Sequence, residues 1–171
     1  MKSELLLGVL GIAVVMLAGC GWFGKKGEKK APKLRIVNVL DKKYFDDASI
    51  KGDAASGVVS INVPFEKLKD TARSWEKSVP VILYCSNYQC SGSGDGAQML
   101  TEMGFDARAY EGGMAEWYQL SKEFPADFGV EGLAQEAYLS RKYEPVVPHG
   151  NVRIISAQEL QKLIKQVKMQ A

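Results

Sequence analysis

Histidine is nearly missing from this 171-residue chain: His149 is the only one, set between Pro148 and Gly150 in a turn. A general base has to be held within hydrogen-bond reach of its proton, so His149 is a poor candidate and reads as an exposed loop residue. Cysteine is almost as scarce, with Cys20, Cys85 and Cys90 alone. Two neighbouring cysteines and one distant histidine do not fill a tetrahedral zinc site, so neither a metal nor a cofactor is expected. Neither sign of charge dominates. The 22 basic and 20 acidic residues leave a net charge of +2, and aromatics are not interleaved with basic residues, which argues against nucleic acid as a partner. Internal repeats are absent. The apolar run Leu5 to Ala18 is too short for a comfortable membrane span, which takes about 20 residues. At 46% hydrophobic, the chain can build one domain with a proper core plus appendages.

What is present is concentrated between Val81 and Gly104. Val81-Ile82-Leu83-Tyr84 is a short apolar run after Pro80 and reads as a buried strand. Cys85 follows at its end. Ser86, Asn87, Tyr88, Gln89, Cys90, Ser91, Gly92, Ser93 and Gly94 then make a loop dense in small and polar residues. Ala97, Leu100 and Met103 recur at helical spacing, and Gly104 can end that helix in the left-handed conformation. A thiol between a strand end and a helix start meets loop and first-turn amides that favour negative charge. Such surroundings lower a thiol pKa, and the thiolate is the nucleophile. Gly92, Gly94 and Gly96 have the spacing of an anion-cradling nest. The alternative is a buried structural cysteine before an ordinary turn.

Together with Glu111-Gly112-Gly113-Met114-Ala115-Glu116-Trp117 downstream, this stretch resembles the rhodanese-like sulfurtransferases, over about residues 34 to 120. The resemblance implies a single α/β domain with Cys85 as the catalytic residue and the following loop as the binding site for anionic sulfur. The chain departs from the family pattern in three places. Asn38-Val39-Leu40 replaces the usual Asp-x-Arg, and Ser49 replaces the usual histidine. The loop from Cys85 to Ser93 is longer than is typical and contains no Arg or Lys. Donor binding would then rest on backbone dipoles alone, which implies weak thiosulfate activity. Ser91 and Gly92 stand where the arsenate-reductase and phosphatase relatives need an Arg, which argues against phosphatase chemistry.

Residues 1–20 end in Leu17-Ala18-Gly19-Cys20, which resembles a bacterial lipobox. That resemblance implies cleavage before Cys20 and lipidation of its thiol, with palmitate among the acyl chains, giving firm anchoring to one leaflet. A plain signal anchor is the alternative. Gly21, rather than an Asp, implies the outer membrane of a Gram-negative cell, facing the periplasm. Residues 21–33 are rich in glycine and charge and read as a flexible tether. The domain proper is expected at 34–122.

Within it, Leu34 to Val39 reads as a strand, Tyr44 to Ile50 as a short helix and Asp53 to Val59 as a loop insertion. Phe65, Leu68, Ala72 and Trp75 predict one core-facing helix from about Glu66 to Lys77. Ala107 to Tyr110 is a further strand, and Gly112-Gly113 turns into a helix from Met114 to Lys122 that packs Trp117. Strands alternating with helices predict an open, mainly parallel sheet covered on both faces, with functional groups at the carboxyl ends of its strands. Residues 123–150 form an irregular connection, with a helix expected from Leu133 to Lys142.

Three functions fit Cys85. In sulfur transfer, its thiolate takes the outer sulfur of an anionic donor such as thiosulfate, and a thiol or other acceptor removes it from the persulfide. In a redox protein, Cys85 and Cys90, five apart in an oxidising compartment, form a disulfide, and Cys90 serves as the resolving thiol. In a binding module, the fold has lost its activity, as the missing Asp-x-Arg charges and loop cation suggest.

Residues 151–171 carry a capping box, Ser156 with Glu159, and an apolar stripe of Leu160, Leu163, Ile164 and Val167. Rhodanese domains usually begin with a strand and helix in the style Ile-Ser-x-x-Glu-Leu. Here that phrase is absent from the amino-terminal end and appears as Ile155-Ser156-Ala157-Gln158-Glu159-Leu160. The resemblance thus implies a circularly permuted domain, with Val152 to Ile155 as an edge strand and Ser156 to Lys168 as its helix. A separate tail helix, or the start of a lost second domain, is the alternative.

Overall fold

A computed structural model describes residues 31–146 and 151–171. The lipobox with Cys20, tether residues 21–30 and His149 lie outside the described residues. In chain order the elements are β1 (Leu34–Asn38), α1 (Lys42–Asp47), β2 (Ser49–Ile50), β3 (Val58–Asn62), α2 (Phe65–Ala72), β4 (Val81–Tyr84), α3 (Gly92–Glu102), β5 (Ala107–Tyr110), α4 (Gly113–Glu123), β6 (Val130–Glu131) and α5 (Ala157–Met169).

The main sheet has the order β3-β1-β4-β5, with every pairing parallel. Both of its faces are covered, which is why the central strand β4, Val81-Ile82-Leu83-Tyr84, is apolar and buried throughout. Side chains of β4 alternate between two cores, as the two-residue strand repeat requires. Val81, Leu83 and then Cys85 enter a core with Leu68, Ala97 and Leu100 of α2 and α3. Ile82 and Tyr84 enter the opposite core with Met114 and Trp117 of α4 and Leu160 and Ile164 of α5. Gly96 lets α3 settle onto β4, since a Cβ there would lie 2.8 Å from Leu83 Cδ2 and 3.0 Å from Leu68 Cδ2.

Four local expectations are corrected. The helix expected from Tyr44 to Ile50 is α1, and Ser49 and Ile50 instead form β2, paired antiparallel with β6. The insertion expected to run to Val59 ends at Gly57, because Val58, fully buried, and Val59 pair in β3 with Leu34 and Arg35. Helix α2 stops at Ala72, where Ser74 and Trp75 donate to carbonyls three residues back and tighten the last turn. Trp75 still packs edge-on against Phe105, with centroids 6.3 Å apart, and under the Arg35 guanidinium at 5.0 Å. The helix expected from Leu133 to Lys142 is only one 3-10 turn, Ala137–Ser140. The backbone is left-handed at Ala134 (φ +53°), which interrupts a helix there. Asp47 fixes the segment: its carbonyl accepts from the Ala134 amide (2.8 Å) and its carboxylate from those of Gln135 (2.9 Å) and Glu136 (3.1 Å).

The carboxyl-terminal segment lies beside β5. The expected edge strand is reduced to a single parallel bridge, Ala109 with Ile154, made by two hydrogen bonds of 2.8 and 2.9 Å. Both halves of the capping box form at Ser156 and Glu159. Leu160, Ile164 and Val167 are buried, whereas Leu163 is half-buried at the margin of the core.

Candidate functional site

Cys85 leaves the carboxyl end of β4 with no exposed surface, and Cys90 is half-buried. The two form a disulfide across a Cα separation of 6.2 Å, within the span such a bond allows. Asn87 builds the turn that returns the chain. Its carbonyl accepts from the amide of Cys90 (3.0 Å), and its side-chain oxygen accepts from that of Gln89 (2.9 Å). Its amide nitrogen donates to Ser86 Oγ at 3.2 Å.

The first turn of α4 fixes this loop. Amides at a helix start have no partner within the helix. Here Met114 donates to the Cys85 carbonyl (3.0 Å) and Ala115 to that of Ser86 (2.9 Å). Gly113 has φ of +60° and passes so close that a Cβ would stand 2.6 Å from the Cys85 oxygen and 2.8 Å from the Asn87 nitrogen. The Glu-Gly-Gly-Met phrase is therefore a seat for the cysteine loop, and only glycine fits its second glycine position.

The expected anion cradle is arranged differently. Gly92, Ser93 and Gly94 belong to the first turn of α3 rather than to a loop. Ser91 precedes that turn without capping it through its side chain. The amides of Gln89 and Cys90 already serve Asn87. Ser93 is fully buried, and its hydroxyl has no hydrogen-bond partner among the described residues.

Beside the loop stands a group that the sequence reading did not single out. Glu116 of α4 accepts from the Tyr88 hydroxyl (2.9 Å) through one oxygen and from the Tyr110 hydroxyl (2.7 Å) through the other. Tyr88 comes from between the two cysteines, so Glu116 ties their loop to β5. Burial and the Glu116 charge push the Tyr88 hydroxyl up to about 12 and hold that of Tyr110 well above its ordinary value. Glu111, at the end of β5, reaches the first turn of α3, where a Cβ on Gly94 would lie 3.1 Å from its Oε1. Burial, then the charge of Asp95, raises the Glu111 carboxyl. Tyr88, Tyr110, Glu111 and Glu116 line a cavity of about 270 Å³ whose other wall is residues 154–157 and Glu159. The only sequence signal for Glu111 and Glu116 is their place in the Gly-Gly phrase.

The profile of the rhodanese-like domain matches residues 25–120, more than half of the chain. The chain belongs to the rhodanese-like domain family. No curated protein sequence matches it significantly. Among solved structures, the BH2092 protein of Bacillus halodurans is 23% identical over 60% of this chain and 66% of that one, with a TM-score of 0.47. A rhodanese from E. coli with anions is 22% identical over 48% of this chain and 89% of that one, with a TM-score of 0.39. The family match brings with it a sulfurtransferase-type fold.

At the position of the usual Asp-x-Arg, Asn38 is fully buried and makes neutral contacts instead. Its side-chain oxygen accepts from the Leu40 amide (2.9 Å), and Asn62 donates to the carbonyls of Asn38 (3.2 Å) and Leu40 (2.7 Å). An amide pair thus ties the end of β1 to the end of β3 at the position of the usual Asp-x-Arg.

Proposed function

We propose that this protein transfers sulfur through a Cys85 persulfide, with Cys90 as the thiol that resolves it, on a domain tethered to the bacterial cell envelope by lipidated Cys20. The observation that carries this reading is the Cys85–Cys90 disulfide at the carboxyl end of the central strand. A thiol that only stored sulfur would need no partner, whereas a second sulfur within bonding distance can discharge a persulfide.

The cycle balances as follows. Reduced Cys85 thiolate attacks the outer sulfur of the donor, forming an S–S bond and expelling sulfite from thiosulfate or a thiolate from an organic persulfide. Cys90 thiolate then attacks Cys85 Sγ, and hydrosulfide leaves with the electron pair of the broken bond. The two thiols end as the disulfide, and two electrons have gone to the transferred sulfur, released as sulfide. With no cation from Cys85 to Ser93, and with Glu111 and Asp95 at the first turn of α3 that follows, an organic persulfide suits the site better than dianionic thiosulfate.

Pre-reduced protein mixed with an organic persulfide tests this. One equivalent of sulfide should be released as one disulfide closes. Closure without sulfide, or sulfide from the Cys85→Ser variant, would refute it.

A further inference from the structure

The disulfide presents two unequal sulfurs to its surroundings. Cys85 has no exposed surface, and the carbonyls of Cys85 and Ser86 are pinned by the first amides of α4. Cys90 is half-buried at the margin of the core, next to the exposed Gln89, with its sulfur beside Gly92. Thiol–disulfide exchange requires an in-line approach to the sulfur attacked, and access decides which one that is. The surroundings also carry charge. Two residues along α3 from Gly92, Gly94 is touched by Glu111, and Asp95 follows at once. The adjoining cavity is lined by Tyr88 and by Glu111, Glu116 and Glu159, and the basic Lys142 lines the next cavity beyond Glu116 together with Glu144.

We infer that the disulfide is reopened from outside at Cys90, by a thiol that carries a positive charge rather than a negative one. The inference rests on Cys85 and Cys90 acting as a cycling pair. The external thiolate attacks Cys90 Sγ and forms a mixed disulfide there, and the Cys85–Cys90 bond breaks with its electron pair going to Cys85. A second molecule of the same thiol attacks its own kind in the mixed disulfide, releasing Cys90 as thiolate and the external disulfide as product. Cys85 is thereby freed first, in place at the end of β4, while Cys90 is still blocked. The carboxylates of Glu111 and Asp95 at the first turn of α3 repel an anionic thiol and concentrate an aminothiol, so the charge selection acts on the approach to Cys90.

The test uses the oxidised protein and two probes, cysteamine (cationic) and 2-mercaptoethanesulfonate (anionic). After partial reduction with cysteamine, a quench with N-ethylmaleimide and peptide mapping should find cysteamine on Cys90 and maleimide on Cys85. The reverse pattern overturns the assignment, as does a disulfide that neither thiol opens. At equal thiolate concentration cysteamine should react at least about tenfold faster. That ratio should fall towards one in 1 M salt and in a Glu111→Gln, Asp95→Asn variant. Equal rates in the wild type at low salt overturn the charge selection. A reduced protein that releases no sulfide from a persulfide, yet maps to Cys90, would refute sulfur transfer and leave this inference standing.

Discussion

Gly113 and Cys85 are in backbone contact: a Cβ on Gly113 would lie 2.6 Å from the Cys85 carbonyl oxygen. The contact joins the family's two recognisable phrases into one object, with the amides of α4 holding the loop that carries the sulfur. Gly113→Ala would combine a left-handed φ with a backbone clash. Strain of this kind costs about 1–3 kcal/mol, so a lower Tm is expected together with faster reduction of the Cys85–Cys90 disulfide. An unchanged Tm and reduction rate would mean that α4 does not seat the loop.

Tyr88 gives the protein an alkaline limit. Its hydroxyl is raised from 10.0 to about 12, by burial first and by Glu116 second. The folded state therefore holds this proton more tightly than the unfolded chain does. Its stabilising contribution is complete below pH 10 and is lost as pH rises towards 12. Denaturant titrations should show stability falling over that window, and less steeply in Tyr88→Phe. Identical slopes would show that Tyr88 ionises as readily in the folded state as in the unfolded one.

Residues 151–171 are expected to be part of the domain. Leu160, Ile164 and Val167 are buried in the core on the face of the sheet that also takes Ile82 and Tyr84, and the Ile155 amide donates to the Ala109 carbonyl. At about 1.5–3 kcal/mol for each large apolar side chain buried, deleting the segment should cost several kcal/mol. A truncated protein that melts at the full-length temperature would make the segment an appendage and remove support for a permuted domain.

The parallel sheet and its helices were legible because their signals are local. Val81 to Tyr84 is an apolar run, Leu100 recurs at helical spacing, and Ser156 with Glu159 announces a helix start. The misread pieces depend on contacts distant in sequence. Ser49 and Ile50 become a strand only because Val130 and Glu131 come back to pair with them. Leu133 to Lys142 is interrupted at Ala134, whose left-handed backbone is held by Asp47, far upstream. The site divides in the same way. Cys85, Cys90 and their loop are contiguous in sequence and readable. The Tyr88–Glu116–Tyr110 hydrogen bonds join a loop, a helix and a strand that only the fold brings together.

Envelope anchoring makes a separate prediction. Cells supplied with labelled palmitate should incorporate it into the protein, and Cys20→Ser should abolish incorporation. Recovery of the wild-type protein in the soluble fraction, without label, would contradict the lipobox reading.

The most direct measurement is intact-mass and peptide mass spectrometry of pre-reduced Cys90→Ser after treatment with an organic persulfide, beside the wild type. The resolving step is missing in the variant, so one extra sulfur should accumulate on the Cys85 peptide, while the wild type gains none and closes its disulfide. A variant that gains no sulfur on Cys85, under conditions where the wild type releases sulfide, would contradict the persulfide cycle.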